Sequence, residues 1–225
     1  MGSERPQLLT LRRGPPTPRA RPRCGLIFRA LAGYLYTVVR EPAGFGVVDR
    51  LRREPSWLAL AGGPGIGFAS DEYPLIVSVE AGQPPPALPA SAGPVERLSP
   101  TGRPTGPEPP HLDGGMGALR RFEVDPADAS EVVELSAAAW PAFENAYDAR
   151  ILGFFSVEET GGSEFLLVTW YRSLAEWERS RGTLQAELGD VAEAGRRFRR
   201  RHELTRRTIV RIGVPLTSYS DTTSR

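Results

Sequence analysis

Two neighbouring segments, residues 150–158 (RILGFFSVE) and 164–171 (EFLLVTWY), are apolar at successive positions rather than at alternate ones. In the first, the odd set Ile151, Phe155 and Val157 and the even set Leu152 and Phe154 are both apolar. In the second, Phe165 and Leu167 interleave with Leu166, Val168 and Trp170. Thr160-Gly161-Gly162-Ser163 between the segments has the chemistry of a hairpin turn. Successive side chains on a strand point to opposite faces, so a sheet with one wet face alternates between apolar and polar. A sheet built from these two strands must therefore be covered on both sides. Helices can cover one face, and a second sheet is expected on the other.

The flanking sequence supplies the helices. Residues 118–124 (ALRRFEV) predict a strand, and Asp125-Pro126 places an N-cap before a proline at the first helical position. The helix is predicted to run to about Asn145, with Val132, Val133, Leu135, Trp140 and Phe143 as a broad apolar face and a kink or break at Pro141. Ser173 with Glu176 three residues on reads as a capping box. The helical region it opens is divided at Gly182 and Gly189 and ends near Leu204, before a last strand at 207–214 (RTIVRIGV). The order strand, helix, strand, strand, helix, strand predicts an α+β fold: a ferredoxin-like antiparallel sheet with helices on one face.

The remaining half is less regular. Residues 83–116 are rich in Pro and Gly and predict an extended linker between a first unit, 1–82, and a second, 117–216, with a fraying tail at 217–225. Within the first unit, 7–13 (QLLTLRR), 57–61 and 73–80 (YPLIVSVE) are strand candidates, the last matching EFLLVTWY in character. Residues 24–40 and 45–53 read as helical, although GYLYTVV also suits a strand. The expectation is a degenerate second copy, so that the chain builds its own two-sheet barrel.

The segment ALRRFEVDPADASEVVELSAAAWPAFEN, followed by RILGFFSVEETGGSEFLLVTWYRSLAEWERSRG, resembles the NIPSNAP-like proteins of the dimeric α/β-barrel superfamily. The resemblance spans about residues 117–215 and implies two sheets packed face to face as a barrel. It further implies an aromatic-lined cleft between sheet and helices. In cofactor-independent monooxygenases and polyketide cyclases of that superfamily, the cleft holds a planar aromatic substrate. On this resemblance Trp140, Phe154, Trp170, Arg150 and Arg172 are candidate substrate-binding residues. Tyr171, Asp148 and His202 are candidate proton-transfer groups, Tyr171 and Asp148 as a shuttle and His202 as a base at the pocket mouth. Some relatives hold haem through a histidine, but the expectation here is no cofactor and no metal. The alternative is a non-catalytic NIPSNAP-like binding or interaction protein whose barrel is structural.

Composition narrows the partners. With 28 basic and 27 acidic residues the net charge is +1, which argues against a nucleic-acid binder. The arginines at 196, 197, 199, 200, 201, 206 and 207 read as a solvated helix end, or else as an attractor for an anionic ligand or partner protein. The single cysteine, Cys24, can form no internal disulfide and joins no zinc-type cluster. MGSERP lacks a signal-peptide core, and the apolar run at 24–39 is too short to span a bilayer, so a cytoplasmic protein without membrane contact is expected. The glycines at 62, 63, 65 and 67 lack the Lys-Ser/Thr ending of a phosphate loop and read as a turn or a lid. The expected partner is a small aromatic or apolar ligand, with homodimerisation left open.

Overall fold

The computed structural model describes residues 31–41, 49–51, 56–62, 69, 71–185 and 191–216. The second half follows the predicted order. Strand β5 (Met116–Val124) leads through an Asp125-capped turn, in which the Asp125 carboxylate accepts from Ala127 N at 3.1 Å, into helix α1 (Ala129–Ala146). β6 (Ala149–Val157) and β7 (Glu164–Tyr171) form the hairpin. Helix α2 (Leu174–Ser180), its first turn capped by Ser173 Oγ, and helix α3 (Ala192–Glu203) precede β8 (Thr205–Pro215). Of the kink or break expected at Pro141, the break does not occur. The helix continues to Ala146, with Trp140 and Phe143 on either side of the proline anchored in the core.

The first half contributes β1 (Leu31–Arg40), β2 (Leu58–Gly62), β3 (Glu72–Glu80) and β4 (Glu96–Arg103). All eight strands close into one barrel in the order β1-β3-β2-β8-β5-β7-β6-β4. Read as halves, this is β4-β1-β3-β2 joined to β8-β5-β7-β6. Each half repeats the same strand order, and the second strand of each pairs with the fourth strand of the other. The chain thus forms within itself the two-sheet barrel that the two-sided apolar strands required.

Two expectations are corrected. The stretch read as a linker holds β4, the fourth strand of the first half. Its proline is tolerated because pairing with β1 stops at Leu98, and the ladder to β6 becomes irregular between Pro100 and Arg103. Residues 31–40, inside the segment read as helical, form β1, as its aromatic and β-branched side chains favour. The strand candidate at 7–13 and the Gly-rich run at 63–67 lie outside the described residues.

Three apolar layers result. Inside the barrel, Tyr34, Trp57 and Phe155 make mutual edge-to-face contacts with ring centroids 5.1–5.7 Å apart, so an aromatic trio joins the two halves. Outside the second sheet, Phe122, Phe154, Phe165 and Leu167 pack under α1 and α3. Outside the first sheet, Val39, Leu75 and Val77 pack with Leu51 of the helical residues 49–51 and with Leu88 and Ala92 of the Pro-rich segment. A bulge between Ile151 and Gly153 inserts one residue into β6. It explains why Ile151 and Phe154 share the outer layer while Phe155 and Val157 face the lumen.

The β2–β8 seam is tight. A Cβ on Gly213 would lie 2.7 Å from the Ala61 carbonyl oxygen, whereas one on Gly182 meets nothing within 4 Å. Gly213→Ala is therefore expected to destabilise by about 1–3 kcal/mol in denaturant unfolding, and Gly182→Ala to stay near wild type. Residues 115–216 expressed alone would expose the β6 and β8 edges and the lumen residues Leu119, Leu166, Val168 and Trp170. Sedimentation is expected to show that fragment as a dimer or larger; a stable monomer would contradict the role of the seams.

Candidate functional site

A cavity of about 350 Å³ lies between the outer face of the second sheet and the helices. Its floor comes from outward positions of the strands: Ala118, Arg120 and Phe122 on β5, Leu167, Thr169 and Tyr171 on β7, and Thr208 and Val210 on β8. Trp140 and Phe143 of α1 and Phe198, Arg201 and His202 of α3 form the wall, with Ser180, Arg181 and Thr183 at one side. That volume suits one small organic molecule.

The structure brings together three of the candidate residues: Tyr171, His202 and Trp140. The other five lie elsewhere. Trp170 is the sequence neighbour of Tyr171 on β7, so it points to the opposite face, into the barrel lumen, where its indole donates to the Gly114 carbonyl at 2.8 Å. Phe154 is fully buried in the layer beneath α1, in edge contact with Trp140, and does not line the cavity. Asp148 sits in the turn after α1 and accepts from Arg172 Nε at 3.1 Å on the exposed surface. Arg150 and Arg172 stack on the Trp170 ring at 4.5 and 5.3 Å. Asp148 is thus not positioned to exchange a proton with a ligand in this cavity.

Burial raises the Tyr171 phenol above its ordinary value, a shift opposed by the Arg120 cation and by a Ser180 hydrogen bond. The phenol is accordingly a neutral hydrogen-bond donor at physiological pH, not a phenolate base. Nearby, Thr183 Oγ1 donates to the Ser180 carbonyl at 2.6 Å and lies 2.8 Å from the Tyr147 hydroxyl. Trp140 contributes a buried indole N–H that has no hydrogen-bond partner among the described residues.

Three arginines line the cavity, Arg120, Arg181 and Arg201; none is among the candidate site residues read from sequence, where Arg201 is only one member of the Arg-rich run. The Arg-rich run divides by helical period: Arg196, Arg197, Arg200 and Arg206 form ion pairs with Glu193, Glu131, Glu203 and Asp125. Arg201, only 6% exposed, falls on the stripe Ala194, Phe198, Arg201 that faces the core. Its guanidinium lies 4.7 Å from the Phe122 ring and 4.6 Å from the Phe198 ring, and Nη1 donates to Ser136 Oγ at 3.2 Å. Burial, reinforced by the neighbouring Arg120 cation, pulls Arg201 down to about 9, which leaves it charged at neutral pH. Arg120, half-buried on β5, is lowered chiefly by burial. The signal was present in the sequence as an Arg at an apolar position of each periodic pattern, 120 between Ala118 and Phe122 and 201 after Phe198.

A buried cation without a carboxylate costs folding free energy. Because the folded value of Arg201 is depressed, that cost is complete below about pH 9 and is relieved as pH rises through it. Arg201→Met is therefore expected to melt at or above the wild-type temperature at pH 7, with the difference narrowing above about pH 9 when followed by calorimetry.

Comparison with known proteins agrees with this geometry. Residues 117–218 match the sequence profile of the NIPSNAP family. A solved structure from Lactobacillus acidophilus NCFM, provisionally assigned as a monooxygenase, superimposes with a TM-score of 0.52 at 10% identity, covering 82% of this chain and 95% of that one. A second, from Fusobacterium nucleatum and provisionally assigned in the same way, gives 0.52 at 7% identity over 83% of this chain and 94% of that one. At such identities the likeness is one of fold. A comparison with curated proteins found no match. No helix among the described residues is long and apolar enough to cross a membrane. The four-strand order occurs twice and closes into one barrel, and the second half, residues 117–218, is similar to the NIPSNAP family.

Proposed function

We propose that this protein binds a small aromatic molecule in the sheet–helix cavity and processes it by cofactor-independent oxygenation or cyclisation. The observation that carries the reading is the cavity itself: about 350 Å³, walled by Trp140, Phe143 and Phe198, with Tyr171, His202 and three arginines among its lining residues. A planar ring system would lie against the aromatic wall. Tyr171, neutral and hydrogen-bonded, would donate to a substrate oxygen and hold it in one orientation, and His202 at the exposed end would exchange a proton with solvent. The fold neighbours' provisional monooxygenase assignments favour this chemistry without specifying a substrate.

A second reading, a NIPSNAP-like binding protein without turnover, is favoured by one specific feature. No carboxylate lines the cavity among the described residues, because Asp148 is engaged outside it by Arg172. Native mass spectrometry of the purified protein, followed by an aerobic assay on hydroxylated polycyclic aromatics, separates the two. Turnover is expected to fall about 100-fold or more in Tyr171→Phe and in His202→Ala, the scale of a lost acid–base or orienting group. Ligand retained without turnover would support the binding reading, and turnover unaffected by either substitution would remove both residues from the mechanism.

A further inference from the structure

The cavity carries a charge pattern that an apolar ligand does not account for. Arg120 occupies the centre of the outward row Ala118, Arg120, Phe122 on β5, and Arg201 the end of the inward stripe of α3; both open onto the same space. Arg181 joins them at the side, and no acidic residue lines the cavity among those described. Elsewhere in the barrel, half-buried arginines are matched by carboxylates: Arg103 with Glu144 at 2.6 Å, and Arg121 with Glu164 at 2.9 Å and with Glu96. Arg201 has instead two phenyl faces and one hydroxyl, and the neighbouring charge is another arginine. Like charges in a poorly solvated space repel and forgo hydration, so this pair is stabilised most by an anion placed between them. The guanidinium fork matches a carboxylate, and Arg201 lies directly against the Phe122 and Phe198 rings of the same lining.

We propose that the ligand of this cavity is a planar aromatic molecule bearing a carboxylate, its anionic oxygens held by Arg120 and Arg201 and its rings against Trp140 and Phe143. This rests on the sheet–helix cavity being the ligand site. The Trp140 indole N–H, unpartnered among the described residues, is a further donor for a polar substituent on the ring.

Titration calorimetry of the full chain with naphthoate and with its neutral isostere naphthamide tests the assignment. Naphthoate is expected to bind at least about tenfold more tightly than naphthamide. Arg120→Gln and Arg201→Gln are each expected to weaken naphthoate by about 10- to 100-fold, the scale of one charge-assisted hydrogen bond, while leaving naphthamide unchanged. Arg200→Gln, on the exposed face of the same helix, is expected to leave both affinities as they are, and melting curves establish that each variant is folded. Equal binding of the two probes, or a naphthoate preference that survives both Arg→Gln substitutions, would overturn the carboxylate assignment while leaving the cavity as an aromatic site. Binding of neither probe would overturn the cavity reading and this inference together.

Discussion

Everything in this molecule follows from a sheet that is apolar on both faces. On β7 the outward row Phe165, Leu167, Tyr171 and the inward row Leu166, Val168, Trp170 are all buried, so neither face can meet water. Helices α1 and α3 satisfy the outer row. The inner row requires another sheet, and closure into a barrel also removes the exposed strand edges of an open sheet. The Tyr34–Trp57–Phe155 trio lies at the centre of that closure, drawing two rings from the first half and one from the second.

The site is a by-product of the same arrangement. Period two sends alternate residues of one strand into different compartments, so adjacent residues such as Trp170 and Tyr171 have unrelated roles. Helical period acts likewise on α3, where Arg200 reaches Glu131 in solvent while Arg201 turns inward. Chemistry in the cavity is therefore set by a handful of positions at which a polar residue interrupts an apolar row.

Much of this was legible in the sequence. The second half's elements were, because caps at Asp125 and Ser173, the Gly-Gly turn and the two-sided strands are local signals. The requirement for a second sheet was legible as an unmet need for burial. The first half was harder to read: β4 carries a proline, and its strand character arises from partners on β1 and β6 that lie far away in sequence. For the site, aromatic content found the right region but could not choose among its residues. Trp170 and Phe154 are as aromatic as Trp140, but strand alternation sends Trp170 into the lumen and Phe154 is buried against Trp140, so only Trp140 of the three meets the cavity. Arg120 and Arg201 were hidden among neighbours of the same type, Arg121 and Arg200, that have ordinary surface or seam partners.

A barrel assembled from two identical chains obeys symmetry: a substitution appears twice, and both halves must tolerate it. Here the halves are written separately, and they differ in what covers their outer faces. One outer face is roofed by helices over a hollow, the other is packed by Leu51 and by Leu88 and Ala92 of the Pro-rich segment. A substitution at Arg120 or Arg201 therefore alters the helix-roofed compartment once, not twice, because the other outer face is built from different residues.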